Sequence, residues 1–300
     1  MAVQKIVRIA MLNTDTPVPN VYSKRGTYGN IFHHLLLAAA QRIDSNIHIQ
    51  SEDFDVVLGN YPKSLSDFDA ILITGSASSS YDSSDWIRRL DEYIENVYNN
   101  HPNVRIFGSC FGHQIVCQSL LRQHGVYVEK DPNGWELGVK DIELNKRFLD
   151  RMLQQKAEDT KQCPIPKETS TTRSGNAKTD MRLQFVHADH VKIPMAGLPS
   201  DWILVGSTQH CAVQGLYQPG HVLTYQGHFE FDRFINTETL KVFGASWEPE
   251  RLQAALHAID ADDDSELAAD MALRFLAGLD ITSVDAELHS GLLTPPEECN

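Results

Sequence analysis

Three hundred residues suffice for one large domain or two small ones, and the hydrophobic and charged shares of 42% and 22% are ordinary for a water-soluble folded chain. The formal net charge is −14 and no run of Lys/Arg exceeds two residues. That argues against nucleic acid or an anionic membrane as the main partner, because both reward basic patches.

The stretch MAVQKIVRIAMLNTD is broken by Lys5 and Arg8 and lacks a small-residue cleavage site, so no signal peptide is expected. No apolar run approaches the roughly 18 residues of a membrane span. Five cysteines (Cys110, Cys117, Cys163, Cys211 and Cys299) are scattered without a CxxC pair. They read as reduced thiols in a cytoplasmic protein, with neither a disulfide framework nor a zinc site.

In chain order, Ile6 to Leu12 is a first strand, rich in β-branched residues. Pro17, Pro19 and the SKRGTYGN stretch read as a loop, and a helix follows from about Ile31 to Arg42. IHIQSEDFDVV is a second extended segment, and Asp69 to Ser76 is a continuous apolar strand of the kind buried on both faces of a parallel sheet. After the small-polar loop SASSSYDSSD, Ile87, Leu90, Ile94 and Val97 give helical spacing behind a Ser84 or Asp85 cap. Val104 to Phe107 is a strand and His113 to Leu121 a helix. Strands alternating with helices, each strand ending in a Gly-rich turn, point to an open α/β sheet. Further on, VYVEKD, WELGVKDIEL, LQFVHADHV, WILVGSTQ, CAVQGLY and HVLTYQGH read as mixed and antiparallel strands. Helical stretches follow at Thr237 to Ile259, interrupted by Pro249, and at Ser265 to Leu279. Residues 155–182 are polar and aperiodic, and are expected to be a flexible surface insertion or a substrate lid. Residues 283–300 read as a tail beyond a single domain, 1–282.

Cys110 sits in Gly108-Ser109-Cys110-Phe111-Gly112, where an apolar strand meets an apolar helix. A nucleophile elbow needs small residues at those positions, and the following helix would favour a thiolate through its dipole. The Phe111 N–H would then face a developing oxyanion. A buried cysteine in a tight turn fits the same residues. A thiolate needs a base, and His228 in Gln226-Gly227-His228-Phe229-Glu230 follows the apolar strand HVLTY. In an extended segment residues i and i+2 share a side, so Glu230 could orient His228. His187 with His190, or His33 with His34, lacks a third ligand, so no metal is expected. Cys117 reads as core packing and Cys163 as an exposed thiol in the insertion.

The segments GSCFGHQ (108–114) and QGHFE (226–230) together resemble the class I glutamine amidotransferase superfamily. ILITGS at 71–76, WELG at 135–138 and HADHV at 187–191 continue the resemblance in order. It implies a flavodoxin-like three-layer α/β/α fold with a mostly parallel sheet and a small antiparallel extension. It also implies Cys110, His228 and Glu230 as catalytic residues, with an oxyanion hole at Gly75 and Phe111. Gln114, Ser76, Tyr28, Trp135, Glu136, His187 and Asp189 are implied to bind substrate. Tyr28-Gly29-Asn30 and Gly75-Ser76 with its Ser-rich loop are similar to free-standing γ-glutamyl peptidases. These imply cleavage of the γ-glutamyl bond of a glutathione-type conjugate through a Cys110 thioester, in secondary metabolism and without a cofactor. The alternatives are a glutaminase that supplies ammonia to a separate synthase partner, a hydrolase or acyltransferase acting on another acyl substrate, and a binding protein that shares only the fold. Phe229 stands where the superfamily most often has proline, and Ala188 where Gln or Gly is common. These two departures and the insertion bear on substrate identity. Nothing in the sequence sets the leaving group or the oligomeric state.

Overall fold

The computed structural model describes residues 4–153 and 179–280. Its elements begin with β1 (Lys5–Asn13), α1 (Pro19–Arg25), α2 (Tyr28–Ile43), β2 (Ile47–Asp55), β3 (Ala70–Ile73), α3 (Asp85–Asn100), β4 (Arg105–Ser109) and α4 (Phe111–Leu121). Then come β5 (Tyr127–Lys130), β6 (Glu136–Leu144), α5 (Lys146–Leu153), β7 (Asp180–His187), β8 (Asp189–Lys192), β9 (Ile203–Leu204) and β10 (Gly206–Ser207). The chain continues with β11 (Leu216–Gln218), β12 (Val222–Tyr225), α6 (Arg233–Phe243), α7 (Pro249–Ile259) and α8 (Ser265–Leu276).

The main sheet has seven strands in the order β2-β1-β3-β4-β12-β11-β9. The first five are parallel, and β11 pairs antiparallel with both β12 and β9, a flavodoxin-like order with an antiparallel extension. Strand β3 is the middle one of the five parallel strands, with Ile71 level with Ala10 on one side and Ile106 on the other. All four of its residues are buried, as an uninterrupted apolar run between two helical layers requires. On one face Phe32, Leu36 and Met271 from α2 and α8 cover Ile9, Leu72 and Phe107. On the other, Leu90, Ile94, Ile115 and Val116 from α3 and α4 cover Leu12, Ile71 and Ile106. The fold is therefore the expected three-layer sandwich. Beside it lie a three-stranded sheet, β10-β6-β7, and the pair β5-β8, both antiparallel. Among the described residues, no helix is long and apolar enough to cross a membrane.

Some element boundaries differ from the sequence reading, each for a local reason. The stretch read as a loop before Ile31 holds α1, which Pro19 opens, and the first turn of α2. Thr27 and Asn30 form a reciprocal capping box, so α2 starts at Tyr28. Pro249 stands at the start of α7, which makes two helices of the stretch that it was expected to interrupt. Most of the expected insertion, and the tail at 283–300, lie outside the described residues. The last residues of that insertion are instead part of β7, where the Arg182 N–H donates to Asp264 Oδ2 at 2.8 Å.

Candidate active site

Three parallel strand ends, β3, β4 and β12, converge on Cys110. Its φ is 52° and its ψ −105°, and among the described residues no other non-glycine has a positive φ. Such a conformation is costly and persists only where the surroundings impose it. Here the Cys110 N–H donates to Tyr225 O at 2.8 Å, and Cys110 O accepts from the Gln114 N–H at 3.0 Å. The flanking glycines make the turn possible. A Cβ on Gly108 would lie 2.5 Å from Gly112 O, and one on Gly112 would lie 2.3 Å from Ile73 O. Helix α4 begins at Phe111, two residues earlier than its apolar pattern indicated, so Cys110 is its N-cap residue. The Phe111 N–H has no acceptor within the helix, and the positive end of the helix dipole lies at the thiol.

His228 follows the end of β12, anchored by its own N–H donating to Gln184 O at 2.8 Å. Its Nδ1 lies 2.7 Å from Glu230 Oε1, which also accepts from Ser109 Oγ at 3.0 Å. His228 and Glu230 are 3% and 2% exposed, so the charge pair is shielded from water. Burial pulls the His228 pKa down, but the Glu230 carboxylate and Cys110 outweigh it and push it up to about 10. Phe231 stacks on the imidazole at 4.0 Å between ring centroids. The Nε2 atom is buried without a hydrogen-bond partner. A Cβ on Gly75 would lie 3.3 Å from His228 Cε1 and 3.6 Å from Cys110 Cβ, so the three residues crowd one point. The loop carrying Gly75 is held from β1's end. Thr14 Oγ1 donates to Gly75 O at 2.8 Å, and Asp15 Oδ2 accepts from the Ala77 N–H at 2.9 Å.

Phe229 points away from this site. It is 1% exposed and packs edge-on against Phe32 and Phe107, at 5.2 and 5.9 Å between centroids. The residue that departs from the superfamily's proline thus anchors the His228–Glu230 segment in the core. Phe229→Ala is expected to cost about 3–5 kcal/mol, read as a lowered midpoint in urea unfolding.

The residues expected to bind substrate divide among three places. Ser76, Gln114, Trp135, His187 and Asp189 line a cleft of about 420 Å³ that ends at Cys110. Tyr28 instead lines a smaller cavity of about 160 Å³ on the His228 side, which Ser76 also reaches. Glu136 lines neither and is 2% exposed. It stands directly opposite His187 in the β6–β7 register, with its Oε2 2.8 Å from His187 Nε2. Thr208 Oγ1 and Gln214 Nε2 also donate to it, at 2.6 and 2.8 Å. Burial raises the Glu136 pKa, but these hydrogen bonds outweigh burial and hold it below the usual carboxylate range. Glu136 thus buttresses His187 from behind and does not itself line the cleft.

Several residues at the site escaped the sequence reading. Gln226 Nε2 donates to Cys110 Sγ at 3.6 Å, while its Oε1 accepts from Gln114 Nε2 at 3.0 Å. Gln114 Nε2 also donates to Asp189 O at 3.1 Å, so one amide chain runs from the cleft wall to the sulfur. The i, i+2 rule that paired His228 with Glu230 also places Gln226 on their side. Ser79 Oγ and Tyr81 OH donate to the two oxygens of Asp189, at 2.5 and 3.0 Å. Lys130 faces the same cleft, because β5 and β8 set it opposite Asp189. Only the strand register could have identified it. Cys117 is buried and its thiol is pushed up by burial, as a core residue would be. Cys163 lies outside the described residues. Among the described residues, no group of three or more His, Cys, Asp or Glu side chains is arranged to hold a metal ion.

A model of the class-I glutamine amidotransferase family matches residues 28–241, which include Gly75, Cys110, His228 and Glu230. The chain belongs to that family. This amidotransferase-family chain is 26% identical, over 277 residues, to a glutamine amidotransferase-like protein of Schizosaccharomyces pombe, covering 89% of this chain and 98% of that one. It is 24% identical, over 243 residues, to γ-glutamyl peptidase 2 of Arabidopsis thaliana, covering 79% and 82%. A solved glutamine amidotransferase from Thermotoga maritima shares the fold with a TM-score of 0.60 at 15% identity, over 90% of this chain and 98% of that one.

Proposed function

We propose that the protein is a cysteine-dependent amidohydrolase that cleaves a γ-glutamyl amide, such as that of a glutathione-type conjugate. The observation that carries the reading is Cys110 on its strained elbow, beside the buried His228–Glu230 pair. The similarity to γ-glutamyl peptidases supports the same class of bond. In the cleft, Asp189 is the carboxylate for a substrate α-ammonium group, and Lys130 the cation for its α-carboxylate.

The Cys110 thiolate attacks the γ-carbonyl carbon, and the oxyanion accepts from the Gly75 and Phe111 N–H groups. In comparable sites one such donor is worth on the order of 100-fold in turnover. His228 holds its proton in the resting pair and delivers it to the leaving nitrogen as the C–N bond breaks. The neutral imidazole then takes a proton from water, whose oxygen attacks the thioester and releases glutamate. These steps call for neither a metal nor an organic cofactor. Cys110, Cys117 and Cys211 are free thiols, as the reducing cytoplasm would keep them.

Incubation with glutamine and with an S-substituted glutathione should release glutamate from at least one, with a transient γ-glutamyl adduct on the Cys110 peptide by mass spectrometry. Absence of both glutamate and adduct with either compound would sink the reading.

A further inference from the structure

The proposed general acid decides on which side of the sulfur the leaving group must lie. His228 borders the smaller cavity and not the larger cleft, and its buried Nε2 has no partner. A proton on that atom is therefore best placed for a nitrogen on the small-cavity side, where Gly75 also lies. The recognition groups Gln114, Lys130 and Asp189 all border the larger cleft. The acyl part of a substrate therefore lies in the cleft and the departing amine in the cavity, with Cys110 at the boundary of both.

The cavity's chemistry differs from that of the cleft. Val18, Tyr28 and Phe231 line it and not the cleft, Val186 and Phe243 border both, and Asp15 is its one acidic side chain. Tyr28 and Phe231 stack at 6.1 Å between centroids. Burial, then the Asp15 carboxylate, Glu230 and Cys110, push the Tyr28 phenol pKa far up, so the wall it forms stays neutral. The volume of about 160 Å³ is close to that of an apolar protein cavity, roughly 150 Å³, that takes up benzene. Asp15 is held in place by the N–H groups of Thr16 and Ala77, so its charge is a fixed feature of the rim.

The geometry points to a leaving-group subsite for an amine that carries a compact apolar group, about the size of a benzene ring, and no carboxylate close to the scissile nitrogen. This inference rests on the hydrolase reading and names the substrate class for it. Ammonia would leave the cavity empty, and glycine would set its carboxylate against Asp15. A filled apolar pocket gains about 10-fold or more per added methylene-sized group at best, and a mismatched charge loses what burial gains.

The test uses the full-length enzyme and four γ-glutamyl amides with the same acyl part, those of methylamine, isobutylamine, benzylamine and glycine. The expected order of kcat/KM is benzylamide and isobutylamide at least 10-fold above methylamide, with the glycine amide lowest. Val18→Phe, at a half-buried position on the cavity wall, is expected to reduce the benzylamide-to-methylamide ratio about 10-fold. A flat series, or a glycine amide above the methylamide, overturns this inference and leaves the hydrolase reading standing. A ratio unmoved by Val18→Phe overturns the placement of the amine in this cavity. No hydrolysis of any amide, with no adduct on Cys110, overturns both readings together.

Discussion

Cys110→Ala is expected to lose at least about 10⁴-fold in turnover on any γ-glutamyl substrate, since removing a nucleophile leaves only the contribution of binding and oxyanion donors. Cys110→Gly should be equally inactive yet more stable than Cys110→Ala by about 1 kcal/mol. The reason lies in the backbone. At φ 52° and ψ −105° any Cβ is strained by about 1–3 kcal/mol, and glycine is not. Glycine's greater freedom in the unfolded chain returns about 0.5–1 kcal/mol of that difference. Urea unfolding of the two variants measures it. Equal stability would mean that the elbow stores no strain, and an active Cys110→Ala enzyme would place the nucleophile elsewhere.

Gly112→Ala should damage both the fold and the site with a single added methyl group. The new Cβ would lie 2.3 Å from Ile73 O and 2.9 Å from Ile73 C, both backbone atoms of β3, with no flexible side chain to move aside. The Gly112 N–H also donates to Thr74 O at 3.1 Å, so relief of the clash pulls that bond apart. Overpacking of this kind costs about 1–3 kcal/mol or more. It also displaces α4, and with it Cys110 and the Phe111 amide. A shift of about 1 Å in reacting groups costs about 100-fold in rate. Unfolding midpoint and turnover should therefore fall together. Wild-type turnover in a folded Gly112→Ala enzyme would show that the elbow is not what sets the position of Cys110.

The parts of the fold that were legible were those with local causes. The continuous apolar run at Asp69 to Ser76 marked a strand buried on both faces, and β3 is the middle of the five parallel strands. Glycines around Cys110 marked a tight strand-to-helix turn, and the close approaches of Gly108 and Gly112 explain why. Where the chain's own signals conflicted, boundaries moved. Two prolines and two glycines made residues before Ile31 read as a loop, although Pro19 opens α1 and Thr27 caps α2.

Sequence alone determined the family-like motifs, the open α/β class, and the pairing of His228 with Glu230, because each depends on residues within a few positions of one another. Tertiary structure decided what those motifs face. Glu136 left the cleft for a place behind His187 because the β6–β7 register sets them opposite each other. Lys130 entered the cleft through the β5–β8 register. Val18, Tyr28, Phe231 and Phe243, distant in the chain, became one wall only because α1, α2 and α6 meet beside the end of β12. Spacing along a chain reports which side of its own strand or helix a residue occupies. Which other segment lies on that side is a matter of packing, and packing placed the apolar cavity next to His228.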